Sequence, residues 1–220
     1  MSKRLFIVGN GEMAELFCSH FTHTTDYRVA GFAVDSPFIK EDHLLGLPVV
    51  PLEEVQSRFP PESFHAFVAI GPVKNNTVRA ARFDELQSKG YRFANYINPK
   101  ATISPDVTLG KNVVVGASCV LLPWSTVGDN VLIGTGSILG HHCHLHRHAY
   151  LALHVVMAGS VVVGERAFVG VGVTIRDNVT IGEGSVVGAG TTILGDVEPN
   201  SVYVPERAKK LELTADQVRL

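Results

Sequence analysis

The sequence predicts two successive structural units, an α/β domain followed by a parallel β-helix. Two observations carry this prediction. Strands and helices alternate up to about residue 92, and from Ile97 onward an aliphatic residue recurs at every sixth position. A chain of 220 residues is long enough to give each unit a core of its own. We therefore divide the chain into residues 1–92 and 93–220.

The first unit is predicted from the alternation of strand and helix patterns. RLFIVG, YRVAGFAVD and HAFVAIG read as buried strands, and EMAELFCSHF has apolar residues at helical spacing. NNTVRAARFDELQSKGY predicts a helix that begins after an asparagine cap and ends near Gly90. A strand, a glycine-containing turn, a helix and a second strand that ends in an acid form the outline of a Rossmann-like unit.

Six residues of this unit are candidates for ligand binding because ligands of parallel sheets bind beyond the carboxyl ends of the strands. They are Gly9, Gly11, Asp35, Gly71, Lys74 and Asn75. Asp35 is suited to hydrogen-bond ribose hydroxyls, and Lys74 is suited to neutralise a diphosphate. The turn GNG lacks the full G-x-G-x-x-G pattern, so Gly9 and Gly11 are equally well explained by a tight turn between strand and helix.

The second unit has a six-residue period without interruption. Every sixth residue from Ile97 to Ile193 is aliphatic or methionine, and each position four residues further on is small or β-branched. This pattern is typical of a parallel β-helix, in which short strands form the faces of a prism and turns form its edges. Three units make one coil, so residues 18 apart stack at about 4.8 Å. We expect the α/β unit to cover one end and ERAKKLELTADQVRL to form a helix near the other.

Composition excludes several classes of function. The formal net charge of −2 gives no field that would collect nucleic acid or acidic lipid. No segment approaches the ~20 apolar residues of a membrane span, and the first residues lack a signal-peptide pattern. Cys18, Cys119 and Cys143 are an odd number at no metal-like spacing, which favours a reducing compartment. We expect a soluble cytoplasmic protein.

The segment SILGHHCHLHRHAYLALH holds six of the ten histidines. They are His141, His142, His144, His146, His148 and His154. Stacking at 18-residue intervals puts His141 beside Gly159, which leaves open space next to the imidazole, and puts His142 over Trp124. Imidazole titrates near working pH and can act as a general base, although a histidine can also merely cap a turn. Cys143 falls on an inward position and is interpreted as a core residue.

The repeats resemble those of the hexapeptide acyltransferases, whose prism is a left-handed β-helix. The two-unit arrangement is similar to the sialic acid O-acetyltransferase, PglD-like and PerB-like group of bacterial sugar acetyltransferases. The segments that carry the resemblance are IVGNG, AIGPVKNNTVR, YINPKATISPDVTLG, GHHC, VVVGERAFVGVGVTI, VVGAGTTI and YVPERAKKL. The resemblance implies an acyltransferase that uses acyl-CoA, most often acetyl-CoA, without a metal. It also implies a nucleotide-linked amino sugar of surface polysaccharide synthesis as acceptor, and a homotrimer with active sites between subunits.

The resemblance also implies site residues. His141 matches the family's general base, and His142 stands where many relatives carry an acid that could orient it. The cosubstrate would follow the stacked small residues Gly159, Gly172, Ala189 and Gly190, with its phosphates near Arg207, Lys209 and Lys210. A backbone N–H at a glycine-rich edge, with Gly159 favoured, would stabilise the oxyanion.

The chain departs from the family pattern in three places. Tyr150 stands where some relatives have a histidine that contacts the acetyl group. GNGEMA is shorter than the turn of the sugar-nucleotide enzymes, which leaves another sugar, amine or alcohol open as acceptor. The family's usual G-x-P-A-K is replaced by VPERAK.

Two other classes of function remain open. The gamma-class carbonic anhydrases use the same prism and bind a metal through histidines spaced H-x-x-x-x-H, as His141 and His146 are. Their third ligand would lie on an earlier coil, and residues 97–140 contain no histidine. A binding protein that has kept the fold without chemistry is the other alternative, and it predicts no binding of acyl-CoA.

Overall fold

The computed structural model describes residues 3–206, 208 and 212. It has an α/β unit followed by a parallel β-helix, so the predicted fold class is confirmed. The strands of the first unit are β1 (Lys3–Val8), β2 (Tyr27–Val34), β3 (His43–Leu44), β4 (Leu47–Pro51), β5 (His65–Val68) and β6 (Arg92–Phe93). The helices are α1 (Glu12–Thr24), α2 (Val55–Arg58) and α3 (Thr77–Ser88), with 3₁₀ turns at Ser36–Phe38 and Leu52–Glu54. None of the described helices is long and apolar enough to cross a bilayer.

The sheet of the α/β unit has the order β3-β4-β2-β1-β5-β6 and is parallel except for β3. Its central strand β1 is apolar on both faces: Leu5 and Ile7 pack in the core with α1, and Phe6 and Val8 pack in the core with α2 and α3. Burial on both faces is what the continuous run LFIV predicts for a parallel strand. No strand was predicted at β4, because its segment LPVVP contains two prolines.

The β-helix has three faces built from two-residue strands. Face 1 contains β7 (Tyr96–Ile97), β10 (Val114–Val115), β13 (Leu132–Ile133), β16 (Tyr150–Leu151), β19 (Phe168–Val169), β22 (Val186–Val187) and β24 (Val202–Tyr203). Face 2 contains β8 (Thr102–Ile103), β11 (Val120–Leu121), β14 (Ile138–Leu139), β17 (Val156–Met157), β20 (Thr174–Ile175) and β23 (Thr192–Ile193). Face 3 contains β9 (Thr108–Leu109), β12 (Thr126–Val127), β15 (His144–Leu145), β18 (Val162–Val163) and β21 (Thr180–Ile181).

The interior of the prism follows the predicted period. The second residue of each strand from β10 to β23 is buried in one continuous core. Their counterparts in the first coil, Ile97, Ile103 and Leu109, are only partly buried. The positions four residues further on fill the same core, with Cys119 and Cys143 among them. Strands 18 residues apart pair in register, as Val120 does with Ile138.

Each edge of the prism turns at a residue with positive φ. Edge 1–2 has Ser118, Gly136, His154, Gly172 and Gly190 at this position. Edge 2–3 has Trp124, His142, Ser160 and Asn178. Edge 3–1 has Asn112, Asn130, His148, Arg166 and Gly184. Histidine is among the residues enriched in the left-handed region, and three of the six clustered histidines take this position.

The α/β unit lies along the side of the prism, so the prediction that it covers one end is wrong. Tyr96, Val114 and Leu132 point outward from face 1 and share a buried core with α1. Face 1 carries these apolar residues on its outer side as well, which lets the sheet of the first unit extend its core onto the prism. The packing places edge 2–3 on the opposite side of the prism from the α/β unit.

Candidate functional site

Edge 2–3 places His141 and His142 side by side on the surface of the prism. Both side chains are exposed, and their Nδ1 atoms lie 3.0 Å apart. The ring of His142 packs against the ring of Trp124, with centroids 4.9 Å apart. Trp124 and His142 have φ values of 61° and 58°, so both side chains leave the same edge in successive coils. The predicted stacking of His142 over Trp124 is therefore present.

Gly159 provides the space that the His141 ring occupies. A Cβ atom added to Gly159 would lie 2.5 Å from Cε1 and 2.7 Å from Nε2 of His141, closer than non-bonded atoms approach. The coil is held there by a hydrogen bond from Ser160 N to the His141 carbonyl at 2.8 Å. Among the described residues, the Gly159 N–H donates no hydrogen bond. Gly159 thus lies beside the imidazole, and its N–H has no acceptor among the described residues.

The contact between the two histidines limits their protonation states. Two Nδ1 atoms can share a hydrogen bond only if one carries the proton and the other presents a lone pair. When His141 donates, its Nε2 has a free lone pair and can accept a proton. When His142 donates, neutral His141 carries its proton on Nε2 and cannot act as a base there. The pair can therefore hold His141 in the tautomer that a general base needs.

Cys143 follows this pair but faces the interior. Its side chain is fully buried, and its thiol donates to the carbonyl of Ala158 at 3.2 Å. Burial raises the pKa of the Cys143 thiol, and nearby backbone hydrogen bonds only partly oppose this. A buried, protonated thiol is a poor nucleophile. The prediction that Cys143 is a core residue agrees with its place in the prism interior.

The other clustered histidines lie away from this pair. His144 is on face 3, where its Nδ1 is 2.7 Å from Thr126 Oγ1, and His154 lies on edge 1–2 against Gly136. His146 is on edge 3–1, so His141 and His146 belong to different edges despite their spacing. No group of three metal-ligating side chains comes together within the described part of the chain.

His148 is buried between the α/β unit and edge 3–1. Asn130 Nδ2 donates to its Nδ1 at 2.9 Å, and its Nε2 lies 3.8 Å from Asp84 Oδ1. Burial, reinforced by the nearby charge of Arg147, lowers the pKa of His148 to about 4, although Asp84 acts in the opposite direction. His148 is therefore neutral in the folded protein at neutral pH and serves the domain junction.

The residues predicted to hold the cosubstrate lie on two edges. Gly172, Ala189 and Gly190 are neighbours on edge 1–2, and all three are exposed. Gly159 is on edge 2–3, so face 2 separates it from the other three. The described residues do not include Arg207, Lys209 or Lys210, and most of the predicted C-terminal helix also lies outside them.

The predicted acceptor residues surround a cavity of about 500 Å³ at the carboxyl ends of β1, β2 and β5. Gly9, Gly11, Asp35 and Gly71 all line it. Gly9 has φ 123°, and a Cβ there would be 2.9 Å from the Ala69 carbonyl, so glycine is required. Gly11 is the N-cap of α1 and has no side chain that could accept hydrogen bonds from the first turn. The N–H groups of that turn, which lines the cavity, are therefore left for a ligand.

Arg82 on α3 also lines this cavity, and the sequence offered no motif that would have identified it. Its Nε donates to Asp35 Oδ2 at 3.2 Å, and its Nη2 forms an ion pair with Asp35 Oδ1 at 2.9 Å. Its Nη1 donates to Glu85 at 2.8 Å. One guanidinium therefore contacts both carboxylate oxygens of Asp35, which fixes the direction of this carboxylate at the cavity.

Lys74 and Asn75 lie outside the lining of this cavity. Lys74 is exposed, whereas Asn75 Nδ2 donates to the carbonyl of Gly184 at 2.6 Å. Asn76, at the predicted cap position, makes no side-chain cap to α3 and instead donates to the carbonyl of Arg166 at 3.1 Å. These asparagines connect the start of α3 to edge 3–1 of the prism.

Arg79 completes the connection between α3 and edge 3–1. Its buried guanidinium donates to the carbonyls of Asn130, His148 and Ala149 and to the Asn130 side chain. Burial lowers the pKa of Arg79 to about 10, so the side chain stays charged at neutral pH. Asn75, Asn76 and Arg79 together satisfy the carbonyls of successive positive-φ residues on one edge. This junction fixes α3, and with it Arg82, relative to the prism.

Comparison with known families matches both units. Residues 4–86 match the PglD N-terminal domain, and residues 160–195 match the bacterial transferase hexapeptide of six repeats. No curated protein sequence matches the chain.

Solved structures resemble the chain over nearly its whole length. PerB from Caulobacter crescentus, a perosamine N-acetyltransferase solved with CoA and GDP-perosamine, is 30% identical, with 93% of this chain and 95% of PerB covered and a TM-score of 0.83. That enzyme has also been solved with one histidine replaced by asparagine or alanine. The acetyltransferase domain of PglB from Neisseria gonorrhoeae, solved with acetyl coenzyme A, is 25% identical, with 96% and 100% covered and a TM-score of 0.83. WeeI from Acinetobacter baumannii, at 18% identity over 92% and 97% of the two chains, shares the fold with a TM-score of 0.75.

Proposed function

This chain belongs to the hexapeptide-repeat sugar acetyltransferases of the PglD and PerB group, and from that membership we propose that it acetylates a nucleotide-linked amino sugar with acetyl-CoA. The observation that carries the proposal is the pair of His141 and His142 on a prism edge, with the His141 ring over Gly159. Direct attack on a thioester needs a positioned base that accepts the proton of the acceptor. The PerB and PglB structures, which hold CoA or acetyl-CoA, support the choice of cosubstrate.

The proposed reaction is direct transfer in a ternary complex, without an acyl-enzyme. The acceptor amine attacks the carbonyl carbon of the thioester while His141 Nε2 accepts its proton. The oxyanion that forms is stabilised by backbone donors of the edge, and the Gly159 N–H, which donates no hydrogen bond within the described part of the chain, is the favoured candidate. The carbon–sulfur bond then breaks, and protonated His141 returns the proton to the departing CoA thiolate. His142 accepts a hydrogen bond from His141 Nδ1–H and keeps the base in its active tautomer.

The proposed acceptor site is the cavity of the α/β unit, which suits a nucleoside diphosphate in size. Gly9, Gly11, Asp35 and Gly71 line it, and Asp35 presents a fixed carboxylate for ribose hydroxyls. Lys74 and Asn75 remain predicted acceptor residues beside the cavity, although Asn75 is already hydrogen-bonded to the prism. The cosubstrate is proposed to extend from Gly159 towards Gly172, Ala189 and Gly190, with Lys209 as a predicted phosphate contact. PerB is an N-acetyltransferase solved with the amino sugar nucleotide GDP-perosamine, which favours transfer to nitrogen in this chain as well. We propose that the product is used for surface polysaccharide.

The layout of the two sites leads us to propose a homotrimer. The acceptor cavity belongs to the α/β unit on face 1, whereas His141 lies on edge 2–3 on the opposite side of the prism. An acceptor bound to one chain would therefore reach the base of a neighbouring chain. Exposed apolar side chains around face 2 support such an interface: Leu122, Trp124, Ile138, Leu153 and Val156. Three free, buried cysteines support a location in the cytoplasm.

Substitution of His141 tests the proposed mechanism. General-base catalysis contributes about 10²–10⁴ in rate, so His141→Asn should lower kcat by roughly that factor. Affinity for CoA, measured by calorimetry, should be nearly unchanged because the imidazole acts on the acceptor's proton. Cys143→Ser should keep most of the activity because the thiol forms no covalent bond. If His141→Asn is fully active and Cys143→Ser is inactive, His141 is not the base and the reaction proceeds through the Cys143 thiol.

A further inference from the structure

Arg82 is the cationic side chain of the acceptor cavity. Among the described residues that line the cavity, three carry charge: Glu12, Asp35 and Arg82. Glu12 opens the first turn of α1, the turn whose N–H groups face the cavity. Lys74, which the sequence suggested for neutralising a diphosphate, does not line the cavity, and Lys40 lines a separate groove. Without Arg82 a bound diphosphate would face two carboxylates and no cation.

We propose that Arg82 binds the diphosphate of the acceptor nucleotide while it holds Asp35 in place for the ribose. This inference rests on the proposed function, in which the acceptor is nucleotide-linked. A guanidinium has five N–H donors in a fixed plane. Nε donates to Asp35, Nη1 donates to Glu85, and Nη2 lies against the second Asp35 oxygen. Even if Nη2 gives one N–H to that oxygen, one N–H on each of Nη1 and Nη2 remains for phosphate oxygens without breaking the existing pairs.

The position of Arg82 supports the same role. It reaches the cavity from α3, whereas the free N–H groups of Gly11 and the following turn approach from α1. A diphosphate between these elements would meet backbone donors on one side and a guanidinium on the other, which offsets the repulsion from Glu12. The side chain is about 30% exposed and lines the cavity, so a ligand in the cavity can contact it. Arg79 anchors α3 to the prism and thereby fixes the helix that carries Arg82.

Binding of a nucleoside diphosphate compared with its nucleoside tests this assignment. The probes are UDP with uridine, GDP with guanosine and dTDP with thymidine, titrated by calorimetry for the diphosphates and by ligand-observed NMR for the weaker nucleosides. Arg82→Gln should lose roughly 10- to 100-fold in affinity for the preferred diphosphate, the range expected for hydrogen bonds to a charged group. Its affinity for the matching nucleoside should fall much less, because only the orientation of Asp35 towards the ribose is lost. The diphosphate affinity of Arg82→Lys should lie between those of the parent protein and Arg82→Gln, because lysine keeps the charge but lacks the planar set of guanidinium donors.

Lys89→Gln is the matched control. Lys89, the C-cap residue of α3, pairs with the same carboxylate, Glu85, at 2.7 Å, but it does not line the cavity. It should bind diphosphate and nucleoside as the parent protein does, and all variants should bind CoA equally. Equal losses of diphosphate and nucleoside affinity in Arg82→Gln, or no loss at all, would overturn the assignment. A parent protein that binds none of the three diphosphates would overturn the nucleotide-linked acceptor itself, and the role of Arg82 with it.

Discussion

Gly159→Ala is the substitution that most directly probes the position of the His141 ring. The added Cβ would lie 2.5 Å from His141 Cε1, whereas carbon atoms in contact lie about 3.5–4.0 Å apart, so the ring must move by about 1 Å. Gly159 has an ordinary negative φ, so alanine adds no backbone strain that would confuse the result. A misplacement of about 1 Å can lower the rate by ~10²-fold. We therefore expect kcat to fall by about two orders of magnitude while the protein stays folded.

Gly195→Ala is the matched control for this substitution. Gly195 lies 36 residues after Gly159, two coils further along edge 2–3, and a Cβ there would meet nothing within 4 Å. Steady-state rates of CoA release at saturating cosubstrate and acceptor compare the two variants, and circular dichroism checks that both are folded. Equal activity of the two variants would mean that catalysis does not need the His141 ring at its present position, and the predicted fall in kcat would be wrong.

Two further predictions concern the junction between the units. Because the pKa of His148 is lowered from 6.5 to about 4, the unfolded chain binds more protons between these values, and stability falls as the pH drops through this range. From pH 7 to pH 5 the free energy of unfolding should fall by about 2 kcal/mol. His148→Asn introduces the residue type that Asn130 already has on edge 3–1, and urea unfolding curves of this variant should lack that fall. If the stability of the parent protein and of His148→Asn depends on pH in the same way, His148 is not the group responsible. Arg79→Met should lower the free energy of unfolding by about 3 kcal/mol because buried carbonyls lose their donor, whereas exposed Arg28→Met should change it little. Chemical denaturation that finds the two arginine variants equally stable would count against the junction described here.

The sequence predicted the β-helix well because its interior repeats locally. Each aliphatic residue of the period has one environment, the prism core, and no long-range information is needed to place it. The stacking of His141 on Gly159 and of His142 on Trp124 followed from the same period. The handedness of the prism came from family resemblance, since the period itself does not encode it.

The parts that the sequence did not predict depend on contacts between the two units. Asn75 and Asn76 have the composition of a helix start, but their side chains serve carbonyls on the prism. Arg79 and Arg82 are three residues apart on one helix, yet one is buried in the junction and the other faces the cavity. Their roles are decided by where edge 3–1 and Asp35 lie, which no local pattern in the sequence expresses.

Acetyl-CoA consumption with a panel of sugars tests whether the protein acetylates a nucleotide-linked amino sugar with His141 as the base. The panel pairs UDP-, GDP- and dTDP-linked amino sugars with the same amino sugars lacking the nucleotide, and release of the CoA thiol is followed for the parent protein and for His141→Asn. We expect release with at least one nucleotide-linked amino sugar, much slower release with its free counterpart, and a loss of roughly 10²–10⁴ in kcat for the variant. Equal rates with free and nucleotide-linked sugars, or release that does not depend on His141, would contradict this expectation.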